Sequence, residues 1–463
     1  MTDTDTTHPS LILTTVAASF AFALVQLDVT IVNVALPTMA HALDTPVSGL
    51  QWVVDAYALA FAALLLTGGY IGDRRGAKRI FLAGLAIFAS ASLICGLALD
   101  APMLIAGRML QGVGAAAMLP CSLTLINHAA EGQPARRAQA IGWWTAAGSI
   151  AIAGGPIVGG ALLGIAGWRG IFLVNLPICL LGALLTLRLD ETERMPRGGP
   201  FDGQGQCLAI LALASLTAAV IEAKPLGLGS PIPISCAVVG ITSAFAFIRH
   251  EARTAAPMLP LSLFSSRTFS GAVIFGAAVN LTYYGIVFVL SLYLQRVLGY
   301  SPVRAGLAFL PLTATFFAVN IFSGWWVGRA GSRAPMIIGA SIDAAGFALL
   351  AFVAGAGAPY WQLAIAFILI SAGMGLGVPA MTTAVLASVA REGTGTASAV
   401  LNAARQAAGA IGVAVFGALA GDAPEHVIIG LRFAALLAAA LLIVAGIVAA
   451  ATIGRPRQAP SRS

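Results

Sequence analysis

The chain has 463 residues, 59% of them hydrophobic and only 9% charged, with a formal net charge of +7. A soluble globular domain carries about 25% charged residues, so this composition excludes a surface covered by water and leaves most of the outside facing lipid. Apolar stretches of at least about 18 residues, long enough to cross the hydrocarbon core as helix, recur from Leu11 to Ile453. They are apolar all round instead of alternating, which excludes a transmembrane barrel, and the chain reads as an all-α, polytopic membrane protein.

In chain order, the N-terminal stretch MTDTDTTHPS is polar and free of Lys and Arg. It lacks the basic start of a signal peptide, so the first helix is expected to stay in the mature protein. Fourteen spans are expected. Six lie near 11–38, 49–71, 80–99, 102–126, 139–163 and 169–188, and two more near 206–223 and 231–248. The last six lie near 269–295, 305–327, 335–355, 360–385, 397–420 and 428–453. The seventh is short and ends in Glu222 and Lys224, which read as an interfacial pair. This divides the chain into an N-terminal six-helix bundle over 1–188, two extra helices with their loops over 189–268, and a C-terminal six-helix bundle over 269–463. No loop is long enough to fold as a separate domain, and no Walker phosphate loop is present, which excludes an ATPase module.

Of the 25 basic residues, 18 fall on one side of the membrane, 5 on the other and 2 within helices. The rich side carries Arg74, Arg75, Lys78, Arg79, Arg136, Arg137, Arg455 and Arg457; the poor side has Arg169, Lys224, Arg296, Arg304 and Arg432. The positive-inside rule makes the rich side cytoplasmic, with both termini there. Positive charge spread over loops in this way argues for topology and against a nucleic-acid partner. The five cysteines form no CxxC pair, and the five histidines are scattered over termini and loops, so no metal cluster, disulfide framework or enzyme active site is expected.

The first and last six spans look like copies. GGYIGDRRGAKR follows the second span and GWWVGRAGSRAP the tenth; GVGAAAMLP in the fourth matches GMGLGVPAM in the twelfth; the fifth and thirteenth are both Gly-rich. Parallel six-helix repeats around a central site are a transporter architecture.

Several motifs, in the right order over nearly the whole chain, give it a family resemblance. LDVTIVNVALP (Leu27 to Pro37), the loop Gly69–Arg79, RMLQGVGAA (Arg108 to Ala116), GPIVGG (Gly155 to Gly160), WRGIFLVNLP (Trp168 to Pro177) and YYGIVFVLSLYLQ (Tyr283 to Gln295) resemble the major facilitator superfamily. Within it they resemble the fourteen-helix drug–proton antiporter family; Ala77 stands where a basic residue is more usual. The resemblance implies a major facilitator fold, proton coupling involving Arg108, and antiport through the fifth-helix motif.

The residues themselves locate the candidate mechanism. A charge at a helix centre costs about 2.5–3.5 kcal/mol on insertion scales, so each needs a partner or a water-filled cavity. Asp28, halfway along the first helix, and Arg108, inside the fourth, are the main candidates for proton coupling, with Asp55 in the second. A permanent Asp–Arg brace is the alternative reading of the first two, and entrance capping or substrate attraction both fit Asp55. Asp343 and Arg405 are further intramembrane charges whose partners the sequence does not reveal. Gln26, Thr30 and Asn33 form a polar stripe at helical spacing, roughly opposite Asp28.

Substrate contacts are expected from Gln26, Asn33, Asn280, Tyr283, Tyr284, Tyr293, Gln295 and Asn320, whose rings and amides suit a flat, partly apolar molecule. Interface anchoring is the competing role for Tyr293 and for Trp325 and Trp326. Gly69, Asp73, Arg74, Gly76, Lys78 and Arg79 read as a cytoplasmic gate, and Gly148, Gly155, Pro156, Gly159 and Gly160 as a close-packed, bendable helix interface.

The expected function is proton-coupled export of a small toxic or antibiotic molecule across the inner membrane by alternating access. Protons are the coupling ion, no cofactor is needed, the cargo is cationic or neutral, and no obligate protein partner is evident. Uptake of a nutrient by the same fold is the main rival. A channel lacks a filter sequence, and a membrane enzyme lacks a nucleophile–base pair.

Overall fold

The computed structural model describes residues 9–131, 133–189, 201–227, 229–255, 257–389, 394–421 and 423–454. Residues 1–8 of the polar N-terminal start, residues 190–200 and the basic C-terminal residues Arg455 and Arg457 lie outside these. Among the described residues the structure is all helical: α1 (Pro9–Ala42), α2 (Val47–Arg75), α3 (Ala77–Gly96), α4 (Ala101–Ala129), α5 (Pro134–Leu173) and α6 (Asn175–Leu187). A hairpin follows, α7 (Gly203–Leu226) and α8 (Pro231–Glu251), and then α9 (Arg267–Leu292), α10 (Pro302–Ala308), α11 (Leu310–Ala330), α12 (Arg333–Val353), α13 (Tyr360–Ala387), α14 (Thr394–Ala420) and α15 (Pro424–Thr452). Thirteen helices are long and apolar enough to cross a membrane, α10 and α11 together making one of them; α6 is shorter.

Three boundaries differ from the sequence reading, each for a local reason. Pro156 does not interrupt α5; the one residue inside it with non-helical angles is Gly167, at φ 66° and ψ −174°. That left-handed conformation is open to glycine at little cost, so the chain turns there and α5 absorbs the start of the expected sixth span. Pro37 likewise sits inside α1 without ending it. The expected tenth span is divided into α10 and α11, with Phe309 between them.

The two sets of helices pack alike. α1 lies along α5 as α9 lies along α14, α3 packs on α4 as α12 packs on α13, and α2 on α4 as α11 on α13. Without a hydrophobic driving force between helices in lipid, close backbone approach supplies much of the association, and small residues permit it. A Cβ at Gly68 of α2 would overlap the Ala116 carbonyl of α4, and one at Gly114 of α4 would sit 2.8 Å from the Phe88 nitrogen of α3. In the C-terminal set, Gly285 of α9 would meet the Gly412 carbonyl of α14 at 2.6 Å, and Gly339 of α12 the Gly373 carbonyl of α13 at 2.6 Å. The α7–α8 hairpin rests against α2 and α14. Gln206 Nε2 donates to the Ala63 carbonyl at 2.8 Å, and Trp52 Nε1 donates to Glu222 at 2.9 Å. Glu222 therefore ties α7 to α2, a role in place of the expected pair with Lys224.

Cys95, Cys121 and Cys179 are buried packing residues, whereas Cys207 is exposed. Among the described residues no group of acids, cysteines and histidines is placed to hold a metal ion.

The close approaches predict a contrast between two glycines. Gly68→Val forces α2 off α4 and is expected to cost about 1–3 kcal/mol, read as a lower thermal midpoint and folded yield in detergent. Gly142→Ala, in a helical position with no neighbour within 4 Å, is expected to leave both unchanged or slightly raised.

Candidate functional site

The site begins with one charge pair. Asp28 is fully buried, and the Arg108 guanidinium, 1% exposed, donates through Nη1 to its Oδ2. Two buried charges inside apolar helices need their remaining hydrogen-bonding capacity met as well. Most of the donors and acceptors around them are paired, although Asn175 Oδ1 has no partner. Asn175 Nδ2 donates to Asp28 Oδ1 at 3.0 Å and Gln111 Nε2 to the same oxygen at 3.3 Å. Arg108 gives Nη1 also to Gln111 Oε1 at 2.8 Å and Nε to the Val53 carbonyl at 3.0 Å. Ser92 Oγ accepts from Gln111 at 2.8 Å and from Asn175 at 3.3 Å. The flat face of the guanidinium lies 4.3 Å from the Tyr57 ring centroid, a cation–π contact. The net thus draws α1, α2, α3, α4 and α6 onto one point.

Sequence reasoning singled out Asp28 and Arg108 and missed Ser92, Gln111, Asn175 and Tyr57. Gln111 had a signal, being three residues beyond Arg108 and so on the same helix face. Asn175 lay within a quoted motif, but nothing local marked its direction.

The polar stripe of α1 divides between two neighbours. Thr30 faces α5, where a Cβ on Gly155 would overlap its Oγ1. Asn33 lines a small cavity between the two sets of helices, together with Arg108, Tyr57, Tyr284 and Gln406. That cavity holds only about 20 Å³, room for little more than a water molecule. Gln26 and Asn320 are half-buried and do not line it among the described residues. Asn280 is buried and donates to the Gly276 carbonyl of its own helix at 2.8 Å. Tyr283 packs edge-on against Tyr284, with centroids 5.3 Å apart.

Two expected substrate contacts have other work. Tyr293 Oη donates to the Gly355 carbonyl at 2.7 Å and accepts from the Gly355 N–H at 3.1 Å, so it braces the α12–α13 loop. Gln295 Nε2 donates to the Val34 carbonyl at 2.8 Å, and Ser291 Oγ to the Asn33 carbonyl. With Gln51 Nε2 donating to the Ala414 carbonyl at 2.7 Å, these bonds join the two sets at the end of the bundle that carries the α1–α2 connection.

Asp55 is fully buried on α2, one turn from Gln51, and neither carboxyl oxygen has a hydrogen-bond partner. Asp343 is buried on α12, where the Gly373 position of α13 approaches its backbone. The structure does not bring either to Asp28.

The expected gate residues occupy the α2–α3 turn. Gly76, at φ 98°, allows α2 to stop and α3 to start in one residue. Arg74 donates to Tyr70 Oη at 2.8 Å. Lys78 Nζ donates to the Leu189 carbonyl at 2.5 Å and the Leu187 carbonyl at 3.2 Å, closing the end of α6, where a cation complements the helix dipole. Gly69 has ordinary space beside Pro120, whereas a Cβ at Gly72 would meet Cys121 Sγ at 2.5 Å. Asp73 lies in the last turn of α2 and Arg79 in the first turn of α3.

In α5 the small residues serve two faces. Gly148, Gly155 and Gly159 meet Phe22, Thr30 and Ile31 of α1, while Gly160 meets Pro302 and Val303 at 3.0 Å and the Pro156 carbonyl abuts Gly306 of α10.

A helical bundle of two matching sets, with thirteen helices among the described residues apolar and long enough to cross a membrane and a buried ion pair among them, has the architecture of a membrane transport protein. The chain belongs to the Major Facilitator Superfamily, whose family model matches residues 18–413. It is 36% identical over 405 residues to a methylenomycin A resistance protein of Bacillus subtilis (strain 168), covering 87% of this chain and 86% of that one. A methylenomycin A resistance protein of Streptomyces coelicolor is 37% identical over 403 residues, covering 87% and 84%. The multidrug resistance protein Stp of Mycobacterium tuberculosis is 35% identical over 411 residues, covering 88% and 75%. A solved structure from work on proton dependent oligopeptide transporters shares the fold, with a TM-score of 0.67 at 15% identity over 95% of this chain and 98% of that one.

The pair predicts strong coupling between its members. Asp28→Leu strands a buried guanidinium and is expected to cost about 3–5 kcal/mol. The double variant Asp28→Leu with Arg108→Leu is expected to cost less than the sum of the two single changes, measured by denaturant unfolding in detergent.

Proposed function

We propose that this protein is a proton-coupled secondary transporter that exports a small toxic or antibiotic molecule across the bacterial inner membrane by alternating access. The observation that carries the reading is the buried Asp28–Arg108 pair, whose Arg108 lines a cavity shared by both sets of helices. Membership of the superfamily supports transport, and relatives named as resistance proteins support export. Arginine keeps its charge, so the proton is carried by the acid. Asp28 takes it when Arg108 swings away and gives it up when the pair re-forms, since an adjacent guanidinium favours the ionised carboxylate.

The finer organisation follows the same reading. Trp168 to Leu187, the tail of α5 with α6, forms the sixth span and brings the total to fourteen, as in the drug–proton antiporter family with that number. The units are then 1–188, 189–268 and 269–463. With both termini cytoplasmic, the bonds from Gln51, Ser291 and Gln295 seal the outer side, and this conformer faces the cytoplasm. The α2–α3 turn and the α5 faces are the moving parts. Asp55 serves as a second protonation site. Protons are the coupling ion and no cofactor takes part; the cargo and the bilayer are the partners, and the protein is not an enzyme.

A pH gradient imposed across proteoliposomes decides both direction and coupling. Cargo is expected to move against the proton flux. Asp28→Asn is expected to reduce gradient-driven transport by about a hundredfold or more, while leaving downhill exchange of cargo. Movement of cargo with the proton flux would favour uptake, and full gradient-driven transport in Asp28→Asn would sink the assignment of that residue.

A further inference from the structure

Arg405 stands near the middle of α14, one turn before Gly409, and so on nearly the same helix face as a residue that lines the central cavity. Its Cγ lies 3.5 Å from where a Cβ at Gly276 of α9 would be, and Tyr284, two turns along α9, is within electrostatic reach. The ring of Tyr284 covers Gly409, 2.9 Å from the position of its absent Cβ. The Nε of Arg405 is enclosed and has no hydrogen-bond partner. The residue as a whole is half-buried, and it stands beside the cavity next to Gln406 without itself being in the lining. Among the described residues no acid pairs with it.

The rest of the cavity sharpens the meaning of that cation. Arg108 lines the cavity from the other set of helices, but its charge is already held by Asp28. The lining includes the amides of Asn33 and Gln406 and the rings of Tyr57 and Tyr284, and no carboxylate among the described residues. The other intramembrane acids without partners, Asp55 and Asp343, are not in the lining. A carboxyl group can also shed its charge by taking a proton, whereas a guanidinium cannot. Arg405 is therefore the group at the centre whose charge has to be met from outside the protein.

We infer that Arg405 is an anion-binding subsite and that the cargo is a small, partly apolar acid whose carboxylate docks on this guanidinium. A planar carboxylate matches the guanidinium fork with two parallel hydrogen bonds. The cavity of about 20 Å³ has to widen for the body of the molecule to lie against Tyr284 and Tyr57, where the amides of Gln406 and Asn33 serve its remaining polar groups. This revises the expectation of a cationic or neutral cargo, and it rests on the export reading above. It also agrees with the energetics of exchange, because an anion leaving the cytoplasm and a proton entering both move down an inside-negative potential.

The test uses everted membrane vesicles containing the full chain, energised by an imposed pH gradient. The probes are nalidixic acid, a flat antibiotic carboxylate, its carboxamide, and the cation ethidium. Uptake of the acid is expected to exceed that of the carboxamide by about ten- to a hundredfold, the range for a hydrogen bond to a charged group. R405Q is expected to remove that preference, and R405K, which keeps the charge but loses the fork, to retain part of it. The comparison of acid with carboxamide in the unaltered protein needs no variant, so poor folding of R405Q, checked by size-exclusion profile, leaves it decisive. Uptake of the carboxamide or ethidium without the acid would overturn the inference and leave export standing. An undiminished acid preference in folded R405Q would also overturn it. No gradient-driven uptake of any of the three would remove the export reading and the inference together.

Discussion

Everything at the centre of this protein depends on keeping ionic charge inside a medium that does not solvate it. The Asp28–Arg108 pair is held by donors and acceptors drawn from Ser92, Gln111, Asn175 and the Val53 carbonyl. The bonds reduce the cost of burying the pair, and those that run between helices bring five helices of the N-terminal set together where the charge is. Asp55 and Asp343 are buried without such a net, and they can meet the cost by taking a proton and losing their charge.

The two arginines of the centre make the point by contrast. Arg108 has an acid, a carbonyl, an amide and an aromatic face. Arg405 has Tyr284 within electrostatic reach and an enclosed nitrogen with nothing to bond. The same side chain has its charge met by an acid in the first setting and by none among the described residues in the second. Residue type alone does not separate the two settings.

Much of this was legible in the sequence, within definite limits. Apolar length and the loop charges located most of the helices to within a few residues, because those signals are local. They missed that α5 runs on through Gly167 to Leu173 and that the tenth span divides at Phe309. The small residues of α5 announced close packing, yet nothing in GPIVGG tells that Gly155 meets α1 and Gly160 meets α10. Asp28 and Arg108 were each conspicuous as charges in apolar surroundings, but they stand 80 positions apart, and Asn175 and Ser92 complete the net from further helices still. Tyr293 and Gln295 carried rings and amides that suited a ligand equally well; only the fold shows that a backbone carbonyl has taken them. Periodicity reports which face of a helix is special, and it is silent about what that face meets.

The bonds that join the two sets of helices share one trait. Gln51, Ser291 and Gln295 all give their side-chain hydrogens to main-chain carbonyls, of Ala414, Asn33 and Val34. A carbonyl is present whatever residue carries it. The bonds therefore do not depend on which side chains stand at Asn33, Val34 and Ala414, and those positions can be exchanged without removing the acceptors that join the two sets. What ties the sets together and what their side chains present are separate properties of the same helices, so a lineage of such proteins can vary the second while keeping the first.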